Sequence, residues 1–203
     1  MNIAFAKKLK DVWEKNIKED YKKELLSYEA DLQASLYMHL REKLDENYRI
    51  YLEQKIVPKK VKPDIILCNY KEKEGKIDCI LELKYAPHYK RIDLSDMGKL
   101  EKIRKYYKYR GGKCKIWIEG PNRTDKENDK YKWNDEHWIK HLIDEDTIFG
   151  FVLIAPETTF KDNASLINEF LEKDKNYLVL AGKTYITQEG ECDFRVLSGK
   201  EGV

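Results

Sequence analysis

The sequence predicts an α/β fold in which a central mixed sheet is flanked by helices, in the order helix, strand, strand, strand, helix, strand, with a further α/β extension behind it. Three observations predict this. Apolar residues recur at helical spacing before Glu46, three segments rich in Ile, Val, Leu and Tyr follow between Tyr48 and Ala86, and helical spacing returns over Asp93 to Tyr109 ahead of the alternating run KCKIWIE.

The elements follow in order. Amphipathic stretches at about Ala4–Lys18 and Lys23–Glu46 read as helices. Tyr48–Val57, Pro63–Tyr70 and Ile77–Ala86 read as strands, the last two joined as a hairpin by the polar KEKEGK. Over Asp93–Tyr109, Leu94, Met97, Leu100, Ile103 and Tyr107 share one stripe, and Gly111-Gly112 supplies a C-cap. Lys113–Glu119 alternates as a strand. Beyond a polar insertion at 121–132, the spacing predicts a helix over Asn134–Asp144, a strand over Ile148–Ala155, a helix over Ala164–Lys173 and a strand over Tyr177–Ala181.

At 203 residues, the chain is read as a single domain, 1–203, with a core at about 25–119 and an extension at about 120–203. No apolar run approaches the roughly 18 residues that cross a bilayer, so a membrane partner is not expected. The start MNIAFAKKLKDVWEK has no apolar signal region, and the expected compartment is the cytoplasm. Cys68, Cys79, Cys114 and Cys192 include no C-x-x-C pair and read as free thiols.

The net charge of +2 hides an asymmetry: residues 84–115 hold 11 basic and 3 acidic residues, and residues 116–203 hold 11 basic and 18 acidic. Tyr85, Tyr89, Tyr106, Tyr107 and Tyr109 interleave with the basic block. That combination suits a phosphate backbone with its bases, or simply forms a solvated, lysine-rich face. The acidic third has no reading of its own beyond shaping a cleft, recruiting a partner or keeping the chain soluble.

The chemistry concentrates elsewhere. Pro63-Asp64 opens one strand, and 18 residues later its neighbour reads CILELK. Residues two apart on a strand share a face, so Glu82 and Lys84 point one way and Cys79, Leu81 and Leu83 the other. A carboxylate and an ammonium on so apolar a strand are costly to bury unless paired, hydrogen-bonded or bound to metal. Upstream, a projection at about 100° per residue puts Leu25, Leu32, Leu36, Leu40 and Leu44 within roughly 60° of Glu29. Glu29 is thereby expected in the middle of a buried stripe, facing an ion or a lysine on the sheet, or else snorkelling to solvent.

A helix with Glu29, a strand, a strand with Pro63-Asp64, a strand with Glu82-Leu83-Lys84, a helix and a strand together resemble the core of the PD-(D/E)XK nuclease superfamily, a restriction-endonuclease-like fold. The likeness spans about residues 25–119. An acid-x-Lys string also occurs at Asp20/Lys22, Glu53/Lys55 and Glu74/Lys76, but only the 82/84 copy stands in this order of elements. The resemblance implies a nuclease that hydrolyses DNA phosphodiester bonds with Mg²⁺ or Mn²⁺. Asp64, Glu82 and the Leu83 carbonyl would be its ligands, Glu29 would assist the metal or hold a second one, and Lys84 would orient the attacking water. It also implies phosphate contacts from Lys90, Arg91, Lys99, Lys105, Lys108 and Arg110, although Lys99 reads equally as an exposed helix lysine and Asp96 as a first-turn acid. A homodimer or partner subunit is compatible with cutting two strands. The alternative is a catalytically silent nucleic-acid-binding or assembly protein of the same fold.

Other motifs point nowhere else. His137 and His141 have the four-residue spacing of a helical metal pair, but no third ligand stands near them in the sequence. Trp133 and Trp138 read as core or interface anchors, and no G-x-G-x-x-G, Walker A or G-x-S-x-G string occurs.

Overall fold

The computed structural model describes residues 2–57, 61–71, 75–89, 92–109, 114–119, 138–185 and 191–199. The insertion at 121–132, Trp133, His137, Lys90, Arg91, Arg110 and Gly111-Gly112 lie outside them, as do the side chains of Lys108, Cys114 and Trp138.

Asn2 caps the first helix, α1 (Ile3–Asp11), by accepting the Phe5 amide at 3.2 Å. The chain continues through a π-helical segment (Val12–Ile17) into α2 (Lys18–Lys22). There it turns. The Leu25 amide donates to the Asp20 carbonyl, the Glu24 amide to that of Tyr21, and Glu24 takes a left-handed φ of 57°. This Schellman closure is made without the usual glycine, so the helix expected from Lys23 begins only at Glu29, as α3 (Glu29–Lys43). Asp31 caps it by accepting the Ser27 and Tyr28 amides at 2.9 and 3.0 Å. Leu32, Leu36, Leu40 and Leu44 are buried as the projection requires, whereas Leu25, outside the helix, is 60% exposed.

The strands β1 (Tyr48–Leu52), β2 (Ile56–Val57), β3 (Ile65–Asn69) and β4 (Gly75–Tyr85) follow. β1, β3 and β4 form an antiparallel run, with Tyr48 opposite Asn69 and Ile65 opposite Leu81. After α4 (Met97–Tyr109) come β5 (Cys114–Glu119) and β6 (Trp138–Ile143), paired antiparallel. The helix expected over Asn134–Asp144 is therefore a strand from Trp138 onward. The hydrogen bonds that β6 makes to β5 along its whole length outweigh the local helical spacing of its apolar residues.

β7 (Ile148–Pro156) then lies parallel to β4 from Cys79↔Ile148 to Tyr85↔Ile154. α5 (Glu157–Asp162), α6 (Ala164–Glu172), β8 (Tyr177–Thr184) and β9 (Cys192–Ser198) complete the chain, β8 parallel to β7 and β9 antiparallel to β8. Among the described residues the strands form one nine-stranded mixed sheet. The strand lying along β4 from Cys79 to Tyr85 is thus β7. β5, the last strand of the expected core, instead joins the sheet through β6, which pairs parallel with β4 at Gly75 and Lys76, and carries β2 on its other edge.

Both faces of the sheet are covered, which explains why β7, reading IFGFVLIAP, is buried throughout. Its Ile148, Val152 and Ile154 pack with Leu81 and Leu83 against the amino-terminal helices. Phe149, Phe151 and Leu153 pack with Ile80 against residues of α4, α5 and α6. On the first face the two ends of the chain meet: the Trp13 indole donates to the Ala181 carbonyl at 3.2 Å and stacks at a tilt on Phe194, and the Val196 amide donates to Glu14. On the second, Arg104 makes a bidentate pair with Asp174, both nearly inaccessible to solvent. Among the described residues no helix is long and apolar enough to cross a membrane.

Candidate active site

The site lies where β4 outruns one of its neighbours. β3 pairs with β4 only as far as Ile65↔Leu81, because the chain enters β3 from Pro63-Asp64, while on the other edge β7 follows β4 to Tyr85. Backbone groups of successive strand residues point to opposite edges. The Ala86 amide donates to Ile154 of β7 at 2.8 Å, so Leu83 and Tyr85 face the vacated edge. Two carboxylates take the amides left there. Asp64 Oδ2 accepts from Leu83 N at 2.6 Å and Glu29 Oε2 from Tyr85 N at 3.3 Å. By the same alternation, the Leu83 carbonyl points to this edge between the two amides. The Asp64 carbonyl, in turn, accepts from Gln33 Nε2 and from the Glu53 amide, which anchors it to α3 and to the turn after β1.

Glu29 therefore reaches the site, but not as expected. It is the exposed first residue of α3 and approaches the sheet edge from the helix end, because the helix does not extend back to Lys23. A projection that assumed one continuous helix put it in the middle of the stripe.

Glu82 and Lys84 share the face covered by α4, as their spacing requires. Glu82 is 1% exposed. Its Oε1 takes the Lys99 ammonium from the first turn of α4, and its Oε2 is buried with no hydrogen-bond partner among the described residues. Asp96, just ahead of α4, stands between two lysines, with Oδ1 3.3 Å from Lys99 Nζ and Oδ2 3.3 Å from Lys84 Nζ. Four charges thus alternate: Glu82, Lys99, Asp96, Lys84.

Burial pushes the Glu82 carboxyl up to about 7, with the neighbouring charges of Asp64 and Asp96 adding to it and Lys99 opposing. Burial also raises Asp64; the Leu83 amide opposes and Glu29 reinforces. Burial alone would lower Lys99, but its contacts with Glu82 and Asp96 raise it overall. These two carboxylates thus carry a standing demand for positive charge.

Sequence reasoning named Asp64, Glu82, Lys84, Lys99 and Glu29, and all five lie at this junction. It treated Asp96 as a helix-dipole residue and overlooked Gln33. The signal for Asp96 was its position three residues before Lys99 at the start of a helix facing Glu82. Lys105 is exposed and pairs with Glu101 along α4. His141 is buried in β6 and hydrogen-bonded to Tyr70, so the helical spacing that suggested a metal pair with His137 does not apply.

Among the described residues, no three His, Cys, Asp or Glu side chains are grouped to hold a metal ion. The Asp64 and Glu82 carboxylates and the Leu83 carbonyl are hard oxygen donors, and the buried, unpartnered Glu82 Oε2 leaves one of them open. This donor set fits Mg²⁺ or Mn²⁺, which take few protein ligands and retain waters. The cysteines described, Cys68, Cys79 and Cys192, are free; burial pushes the Cys68 and Cys79 thiols well up, away from thiolate chemistry. No family model, no curated protein and no solved structure matches this chain.

Proposed function

We propose that this protein is a divalent-cation-dependent nuclease with a PD-(D/E)XK site, hydrolysing phosphodiester bonds of DNA. The observation that carries the reading is the buried Glu82, one oxygen unpartnered, beside Asp64 and on the same strand face as Lys84. The antiparallel β1–β3–β4 run, followed across α4 by a strand parallel to β4, supports a restriction-endonuclease-like arrangement. In it, β7 takes the place that chain order assigned to 113–119.

Asp64, Glu82 and the Leu83 carbonyl would hold the cation, whose chemistry is to neutralise a phosphate oxygen and acidify a water. The Leu83 amide fixes Asp64, and Glu29 holds the Tyr85 amide so that the strand end keeps its shape. Lys84, steadied by Asp96, presents its ammonium on the reacting side, where it orients the attacking water and offsets charge that builds on the pentavalent phosphorus. The leaving oxygen departs in line, and no covalent enzyme intermediate is needed.

The test is nicking of supercoiled plasmid with Mg²⁺ and with EDTA. Cleavage is expected only with metal, and Glu82→Ala or Lys84→Ala should lower it at least about a hundredfold while thermal stability and DNA binding persist. Full activity in either variant overturns the site. A second reading, a silent nucleic-acid-binding or assembly protein, is favoured by one observation: Lys99 already neutralises Glu82. DNA binding without metal-dependent cleavage would establish it.

A further inference from the structure

Lys99 has a part that the nuclease reading does not assign. Its ammonium reaches from the first turn of α4 to Glu82 Oε1, while Lys84, the lysine of the strand motif, contacts Asp96 and not Glu82. The second acceptor of Lys99 is Asp96 Oδ1 at 3.3 Å. The Lys99 side chain is 36% exposed, so it has room to move, whereas Glu82 at 2% does not.

We propose that Lys99 is a resident counter-ion of the metal site: it competes with the divalent cation for Glu82 and is handed to Asp96 when that cation binds. The inference rests on the nuclease reading, since it takes Glu82 as a metal ligand. Three features carry it. A carboxylate buried this deeply needs a positive partner whenever it is ionised. Lys99 is that partner among the described residues, and a divalent cation on the same carboxylate would repel it at short range. Asp96 then supplies a second acceptor already in contact, so Lys99, on giving up Glu82, still keeps one ion pair. The exchange is one of ion pairs around the ionised Glu82 carboxylate, and no covalent bond forms or breaks.

The experiment is Mn²⁺ binding to the full chain, read from the electron paramagnetic resonance signal of free Mn²⁺, without nucleic acid. Lys99→Gln is expected to bind Mn²⁺ about tenfold more tightly than the wild type, or about 1.4 kcal/mol. Lys99→Arg, which keeps the charge, should stay near the wild type, and so should Lys102→Gln, which removes an exposed charge from the same helix. Thermal unfolding of Lys99→Gln shows that it is folded. In a double-variant cycle, Asp96→Asn should weaken Mn²⁺ binding more in the wild type than in Lys99→Gln.

Two results overturn the inference alone: Mn²⁺ binding that depends on Glu82 yet is no tighter in Lys99→Gln, and equal effects of Asp96→Asn in both backgrounds. Mn²⁺ binding that survives Glu82→Gln, or that is absent from every variant, overturns the nuclease reading beneath it.

Discussion

Glu82 provides a measurement independent of any activity. Its carboxyl stands at about 7 in the folded protein against 4.5 when unperturbed, because burial penalises the anion. Between these values the native state holds a proton that the unfolded chain has released. Stability therefore falls as pH rises through the window and is lowest above it, the reverse of a carboxylate stabilised by its partner. At about 1.4 kcal/mol per pH unit, the interval corresponds to about 3 kcal/mol. Glu82→Gln keeps the shape and an oxygen for Lys99 but cannot ionise. Urea unfolding with EDTA present, across a pH series spanning about 4.5 to 7, should show the variant gaining about 3 kcal/mol on the wild type, with equal m-values. Asp64 is raised too, and it is present in both proteins. A wild-type minus variant difference that stays flat across the window would refute the assignment of a buried, high-pKa carboxyl to Glu82.

Other perturbations follow from the same geometry. Asp174→Ala strands the Arg104 guanidinium inside the core and should cost about 3–5 kcal/mol in chemical denaturation; a loss under about 1 kcal/mol would mean that the pair is solvated. At Gly150 an added Cβ would stand 2.6 Å from Leu81 Cδ2 and 3.4 Å from Leu180 Cδ1. Gly150→Val should therefore lower stability by about 1–3 kcal/mol, and an unchanged Tm would contradict that packing. Glu29→Ala, at an exposed residue, should change stability by under about 1 kcal/mol while speeding hydrogen exchange at the Tyr85 amide; unaltered protection there would exclude the contact.

The strand motif was legible because a period of two is enforced by backbone geometry. Glu82 and Lys84 had to share a face, and Leu81 and Leu83 had to share the other. The stripe from Leu32 to Leu44 was legible for the analogous helical reason. Glu29 was misplaced because the turn at Glu24 carries no glycine to announce it, and the left-handed residue is paid for by two carbonyl contacts that leave no mark on composition. β6 was misread because WIKHLI satisfies either period over so short a span, and its pairing with β5 decided the matter. α5 and β9 were not anticipated at all, the second because a strand paired at one edge needs no strong apolar pattern. That β7 and not β5 lies along β4 depends on contacts across about seventy residues, which local spacing does not encode.

The contact between Trp13 and Ala181 has a consequence for how the molecule is made. The two are 168 residues apart, and at about 5–20 residues per second a ribosome needs roughly ten to thirty seconds to deliver the second after the first. Throughout that interval Leu9, Val12 and Trp13 have no β8 or β9 to shelter them, so the nascent chain presents an oily helical face to the translation machinery and its attendant chaperones. Docking of this helical segment onto β8 and β9 therefore waits until residues 177–198 have been made.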